Sequence, residues 1–403
     1  MVDSVVTDFF PSLPSFGLPQ DAVLDALLSG TVDIKRRAEI YEPDSVTPFD
    51  IADWDSRLID GNVTVDATRD ERRMMEVTLN NGDFALNLNP VNGFWYDKII
   101  KIFWGIDYYI NGVLTRWETQ IGEFMIDRVQ EDYFPDTCKV TGRDYTKKPL
   151  VSQILDSIQF DPSTPVETIV TALAANSGVK KFRMPYTGLA FSDPIVFDPG
   201  TARWEIFKKI SDSVGYEAYF TPDGYLTIRP YQDPSTSPIT WIFRPGQPDG
   251  SLVTYSRTSD DSLVKNHCIV IGSPQTDDLG FSIAAFGEAR NDDPQSPTNI
   301  ARIGDRVDIF KSDYITDTDQ AQGIAEARLR VSSLEQYSID FSSIVLPFVE
   351  AGDIVIIENP KESNFTPARF LLSNFSLPLG LGAMTGNARR VTLVGTTRQF
   401  GVY

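Results

Sequence analysis

His267 is the only histidine among 403 residues, and it lies in the strand-like run Val264–Ile271. A histidine-based metal centre or a Ser-His-Asp triad would have to use it, and within such a run a structural histidine is the stronger reading. Cys268 beside it and the distant Cys138 are the only two cysteines. Both sit in strand contexts and read as small buried hydrophobes, a poor disulfide framework that fits a cytosolic folding compartment. There is no GxxxxGK[ST] phosphate loop, no GxGxxG before a helix and no GxSxG elbow. Asp53/Asp55 and Asp260/Asp261 are the least implausible carboxylate pairs for acid–base work. With 56 acidic residues some such pair always exists. Asp292-Asp293 and Asp317-Thr318-Asp319 lack the spaced ligands of a calcium loop, so loop solubility and helix capping explain them better. Trp95, Tyr96, Trp104, Tyr108 and Tyr109 could stack on sugars from an exposed sheet, but such density more often means core or subunit interface. The expectation is no catalytic residue, no cofactor and no metal.

The elements around these residues are mostly strands. Thr31–Glu42 carries Val32, Ile34, Ala38 and Ile40 at its apolar positions. Gly61–Asp66, Met74–Leu79, Lys98–Phe103, Ile106–Ile110, Trp117–Val129 and Cys138–Arg143 follow, with Asn111-Gly112 as a tight hairpin signal. Residues 31–145 therefore read as a small antiparallel barrel or sandwich. Before them, residues 1–30 form an apolar, proline-broken arm carrying Phe9, Phe10 and Phe16, which should lie on its own domain or a neighbouring subunit. Residues 146–240 read as a small α+β domain. Leu150, Ile154, Leu155 and Ile158 make one helical face, and Val166, Ile169, Val170, Leu173 and Ala174 another. Thr201 is placed to cap a third helix, Trp204–Val214, ahead of a hairpin turning at Pro222-Asp223-Gly224. Residues 241–316 return to strands as a connecting domain, part of which could belong to the second barrel, with a polar loop at 291–298. In 317–403, Asp317, Thr318 or Asp319 caps a helix carrying Ala321, Ile324, Ala325 and Leu329. The period then shortens through Tyr337, Ile339, Phe341 and Val345, and Glu350–Asp353 turns into Ile354–Ile357. With Ala368–Leu377 and Arg389–Val394 this section reads as a second barrel. The predicted fold class is mixed β and α+β, with two strand-rich barrel-like domains separated by small α+β and β domains.

Formal charge is 36 minus 56, or −20. That argues against nonspecific affinity for a nucleic-acid backbone, which needs clustered Lys and Arg. No apolar run approaches the ~20 residues of a membrane helix, and the N-terminus shows no signal peptide. A structural assembly protein accounts for all of this.

Several stretches, in order, resemble the tail-hub proteins of bacteriophages, similar to contractile-tail baseplate hubs and to tail-associated minor tail proteins of siphophages. They are Thr31–Ile40 with Arg36-Arg37; Ile59–Asp66 followed by Arg69–Leu79; Ile121–Arg128; Lys139–Leu150; Trp204–Arg229; and Ala325–Asp353. The positions that carry the pattern include Gly61, Asp66, Gly122, Phe124, Asp127, Ala325, Leu329, Gly352 and Asp353. The resemblance implies a homotrimer around a central channel, in which two barrel-like tube domains per subunit adapt a sixfold tail tube to a threefold tip. It implies a tail tube or distal tail protein on one side and a tip, spike or fibre protein on the other. Tape-measure protein inside and phage DNA passing without specific binding complete the set. It also implies a virion tail tip made in the host cytoplasm, and no catalytic residues. Phe9, Phe10, Phe16, Trp95, Trp104, Tyr108 and Tyr109 are the interface candidates. Some of the excess acid would line the channel, where it would keep DNA phosphates from adhering. The alternative is a carbohydrate- or receptor-binding tail protein; a tail-associated hydrolase has no active-site signature to support it.

Overall fold

The computed structural model describes residues 6–9, 21–30, 32–53, 56–81, 93–134, 136–191, 193–231, 236–246, 250–259, 264–276, 282–333, 337–358 and 369–390. The first part contains β1 (Val6–Phe9), α1 (Asp21–Ser29), β2 (Asp33–Tyr41), β3 (Asp50–Asp53), β4 (Leu58–Asp66), β5 (Arg73–Asn80), β6 (Ile99–Ile110), β7 (Val113–Tyr133) and β8 (Asp136–Arg143). The middle contains α2 (Lys147–Val151), β9 (Ile158–Phe160), α3 (Val166–Ser177), β10 (Lys181–Met184), β11 (Ile195–Phe197), α4 (Arg203–Ser213), β12 (Tyr216–Phe220), β13 (Leu226–Pro230) and β14 (Ile239–Phe243). The last part contains β15 (Leu252–Ser259), β16 (His267–Thr276), β17 (Ser282–Arg290), α5 (Ile300–Ile303), β18 (Val307–Lys311), α6 (Thr318–Ser332), β19 (Tyr337–Ser343), β20 (Ile354–Ile357), β21 (Arg369–Pro378) and β22 (Met384–Arg390).

Thirteen strands join in one sheet. Its main path runs β15-β19-β22-β21-β4-β5-β8-β7-β6-β2-β3, with β20 attached to β21 and β14 to β20. The expected pair of barrel-like tube domains is therefore wrong, because no sheet among the described residues closes on itself. The cause is a long-range antiparallel pairing. Asn374–Pro378 of β21 lies against Asn62–Asp66 of β4, so the strand-rich stretches at the two ends of the sequence become one surface. Alternation identifies strands but carries no information about which distant strand they meet. One core serves both halves: Val63, Val77, Ile102, Phe124 and Val140 share it with Phe341, Phe370, Phe375 and Met384. Burying each side chain of this size contributes roughly 2 kcal/mol.

Two smaller bodies pack around their own cores. In one, α3 and α4 join a sheet of order β1-β10-β13-β12, over Ile169, Leu173, Phe182, Phe207 and Phe220. The N-terminal strand β1 thus lies parallel to β10 of its own chain. In the other, α6 covers the sheet β17-β16-β18 through Ala321, Ile324 and Ala325. That helix belongs with the strands before it rather than with β19, which follows it. Asp317 caps it as expected, its Oδ1 accepting from the amides of Asp319 (2.6 Å) and Gln320 (3.1 Å). The expected helical face Leu150–Ile158 does not form. The chain turns extended at Ser152, whose carbonyl accepts from the Arg203 amide at 3.0 Å, and Leu155 is left exposed. Thr201 does not cap α4 either; its hydroxyl donates to the Asp198 carbonyl at 2.8 Å. No helix among the described residues is long and apolar enough to cross a membrane.

Candidate functional site

The large sheet has one buried face and one polar face, as alternation demands. On the polar face two rows run in register across five strands. Thr254, Ser342, Thr385, Ser376 and Thr64 form the first; Ser256, Asp340, Asn387, Asn374 and Asp66 form the second. Eight of these ten side chains are neutral hydroxyls or amides, two are carboxylates, and none is a cation. All of them but Asp66 line an open concavity of about 520 Å³. Neighbours bond across strands, Thr254 Oγ1 lying 2.6 Å from Ser342 Oγ and Asn387 Nδ2 donating to Asp340 Oδ1 at 2.7 Å. Such a surface is well hydrated and has no reacting group; the guanidinium at its edge, Arg69, is paired with Asp66, Nε to Oδ2 at 3.3 Å.

Behind it, a buried junction fixes the large sheet to the α3/α4 body and to the turn before β20. Glu217 on β12 accepts from Arg72 Nη2 at 2.8 Å and Arg229 Nε at 2.7 Å, while the Arg72 guanidinium lies 3.7 Å from the centre of the Tyr219 ring. Burial would raise the Glu217 carboxyl, but the two arginines outweigh it and hold it below its ordinary range. Arg73 bonds Glu350, and its amide donates to Asp144 Oδ2 at 2.9 Å. Asp144 is 1% exposed, and burial pushes its carboxyl up to about 6 despite those backbone bonds. Burial likewise pushes Asp353 up to about 6; its Oδ2 accepts from the Glu350 amide at 2.9 Å. Gly352 has φ 96°, a conformation that favours glycine, and donates its amide to the Leu372 carbonyl at 2.7 Å.

The other pattern residues are likewise structural. Asp66 Oδ1 accepts from the Thr68 amide at 2.9 Å and holds the β4–β5 turn. Gly61 opposes Val77 in the β4–β5 ladder, so close that a Cβ there would fall 2.4 Å from the Glu76 carbonyl oxygen. The Phe124 ring occupies the space a Gly122 side chain would need. Asp127 takes a two-pronged bond from Arg143, at 2.5 and 3.0 Å, and lies 3.1 Å from Lys147 Nζ. Ala325 is buried on the inner face of α6 and Leu329 packs against the same core.

The aromatic candidates divide. Trp104 and Tyr108 are inside the chain's own core, 1% and 6% exposed, where they offer a neighbour nothing. Trp95 is half-buried against Tyr96, ring centres 5.0 Å apart. Tyr109 is exposed beside Val113 and Leu114 at the tip of the β6–β7 hairpin, which turns at Asn111-Gly112. Phe9 contributes backbone to β1, while Phe10, Phe16, Asp55, Asp260 and Asp261 lie outside the described residues. Asp53 stands exposed on β3. His267 is buried, its ring nitrogens 2.9 Å from Asp305 Oδ1 and 3.0 Å from Glu288 Oε1, so it ties β16 to β17 and to the loop before β18. Cys138 and Cys268 are buried and free, and burial pushes the Cys138 thiol up to about 12. No group of three or more His, Cys, Asp or Glu among the described residues could hold a metal ion. Sequence reasoning missed the Arg72–Glu217–Arg229 cluster, in which Arg72 comes from 145 residues away to meet a cross-strand pair of the β12–β13 hairpin. It also missed the polar rows, although the alternation Thr254-Tyr255-Ser256 and Ser338-Ile339-Asp340-Phe341-Ser342 was visible.

No family model matches the sequence, and a search of curated proteins found no relative. Solved structures do share the fold. A tail protein from Neisseria meningitidis aligns with a TM-score of 0.60 at 13% identity, over 88% of this chain and 96% of that one. The 43 kDa tail protein of prophage MuSo2 from Shewanella oneidensis aligns at 0.58 and 11% identity, over 89% and 98%. A prophage tail protein from Listeria monocytogenes aligns at 0.54 and 12% identity, over 89% and 94%. The chain has the fold of these tail proteins along nearly its whole length.

Proposed function

We propose that this chain is a non-enzymatic structural component of a phage tail tip or baseplate, a homotrimeric hub around a central channel. In this reading it adapts the sixfold tail tube to a threefold tip and lets DNA pass at ejection. The fold shared with prophage tail proteins supports the tail role. The observation that carries the channel is the polar sheet face, with two registered rows of hydroxyls, amides and two carboxylates, the cation at its edge, Arg69, being paired with Asp66. A lumen needs a wetted, rigid wall that does not retain phosphates, and retention comes from Lys and Arg. Hydroxyls and amides, more than the excess acid of the whole chain, would form that wall. The exposed Tyr109, Val113 and Leu114 at the hairpin tip are the apolar contact for a neighbouring subunit. Tail tube or distal tail protein would stack on one side of the ring and a tip, spike or fibre protein on the other. Tape-measure protein would occupy the lumen before ejection, in a virion assembled from chains made in the host cytoplasm. Mass measurement with negative-stain imaging tests the reading. A threefold ring of about 135 kDa, 3 × 45.0 kDa, is expected; a stable monomer at assembly concentrations contradicts it.

A further inference from the structure

We infer that the cleft between the large sheet and the α3/α4 body binds a small carboxylate carried on a short apolar stem. The cleft encloses about 80 Å³, room for several waters or a small organic acid. Ile99, Met125, Val179 and Phe220 give it an apolar floor.

Its charges do not balance locally. The three lining carboxylates are engaged: Asp44 pairs with Lys180, Asp97 with Lys98 at 3.1 Å, and Glu123 accepts from the Tyr145 hydroxyl at 2.7 Å. Among the described residues, Lys180 is the one of the three lining ammoniums with a carboxylate at ion-pair distance. Lys148 has the Tyr145 ring at 5.8 Å, and Lys181 has the Asp223 carbonyl oxygen at 3.5 Å and the Tyr225 ring at 5.5 Å. Both are half-buried. Burial, reinforced by the like charge of Lys180 and only partly offset by Asp44, pushes the Lys148 ammonium below its usual range. Lys148 shares the single carboxylate Asp44 with Lys180, and Lys181 has a carbonyl and a ring for partners, so both ammoniums favour an incoming anion. The apolar floor favours an anion with an aliphatic stem over a bare inorganic one. A free short-chain acid and the C-terminal residue of a partner segment both have this chemistry. The inference concerns a cleft within one subunit and does not depend on the oligomeric state.

Titration of the full chain with butyrate, followed through the Met125 methyl resonance, tests it. The controls are butylammonium and a tripeptide ending in leucine, as free acid and as amide. Saturable shifts with butyrate or the peptide acid, and none with butylammonium or the amide, are expected. Combining Lys148→Gln with Lys181→Gln should weaken binding about tenfold or more. Tighter binding of the peptide acid assigns the site to a partner's terminus; tighter binding of butyrate assigns it to a free acid. No saturable shift with either acid, an equal response to butylammonium, or unchanged affinity in the double variant overturns the proposal. Should that variant fail to fold, the contrast between acid and ammonium on the unaltered protein still decides.

Discussion

Asp144 and Glu217 belong to the same buried junction and are shifted in opposite senses. The Asp144 carboxyl is pushed up to about 6 from 3.8, so the folded state holds its proton more tightly than the unfolded chain. Its contribution is therefore fully favourable below about pH 4 and is lost as pH rises through about 6, a loss of about 3 kcal/mol. Glu217 is held below its ordinary range by Arg72 and Arg229, so its contribution is present at neutral pH and is lost on acidification. Urea unfolding at a series of pH values should separate the two. Asp144→Asn should flatten the decline in stability between about pH 4 and pH 7. Glu217→Gln should cost about 3 kcal/mol or more at neutral pH by stranding two buried guanidiniums. An unchanged pH slope in the first variant, or a neutral effect in the second, would remove the junction as the element that fixes the two bodies together.

At the scale of elements, local chemistry was legible and partners were not. Asp317, Thr318 or Asp319 announced the start of α6, Asp317 proving to be the cap, and Asn111-Gly112 announced the β6–β7 hairpin, because capping and tight turns are decided by neighbours in sequence. The spacing of Ala321, Ile324 and Ala325 announced a buried helical face but could not say that β16 and β17 cover it. Leu150–Ile158 had helical spacing and still became a short helix and a strand, because Ser152 and Ile154 bond backbone near Thr201 and Arg203. Gly287 carried no signal at all. A Cβ there would fall 2.3 Å from the Ala321 carbonyl carbon and oxygen on α6, so its lack of a side chain is what lets the helix sit flush on the sheet. Gly287→Ala should lift the helix and cost about 1–3 kcal/mol, with amide exchange quickening in α6 and β17 before β4 and β5. Unaltered exchange in α6 would mean the contact is slack.

At the scale of the molecule, the ordered motifs from Thr31 to Asp353 pointed to a tail-hub architecture, and the fold is that of prophage tail proteins. What the motifs could not give was the joining of β21 to β4, which replaces two expected barrels with one open sheet. That joining also aligns the Ser, Thr and Asn side chains of distant segments into continuous rows. The central claim is that these rows face a channel shared by three copies. A cryo-electron microscopy map of the assembled protein tests it most directly. The account predicts threefold symmetry with Thr64, Ser342, Ser376 and Thr385 turned toward the axis. A map in which these residues face outside solvent, or in which the axis is lined by arginine and lysine, would contradict it.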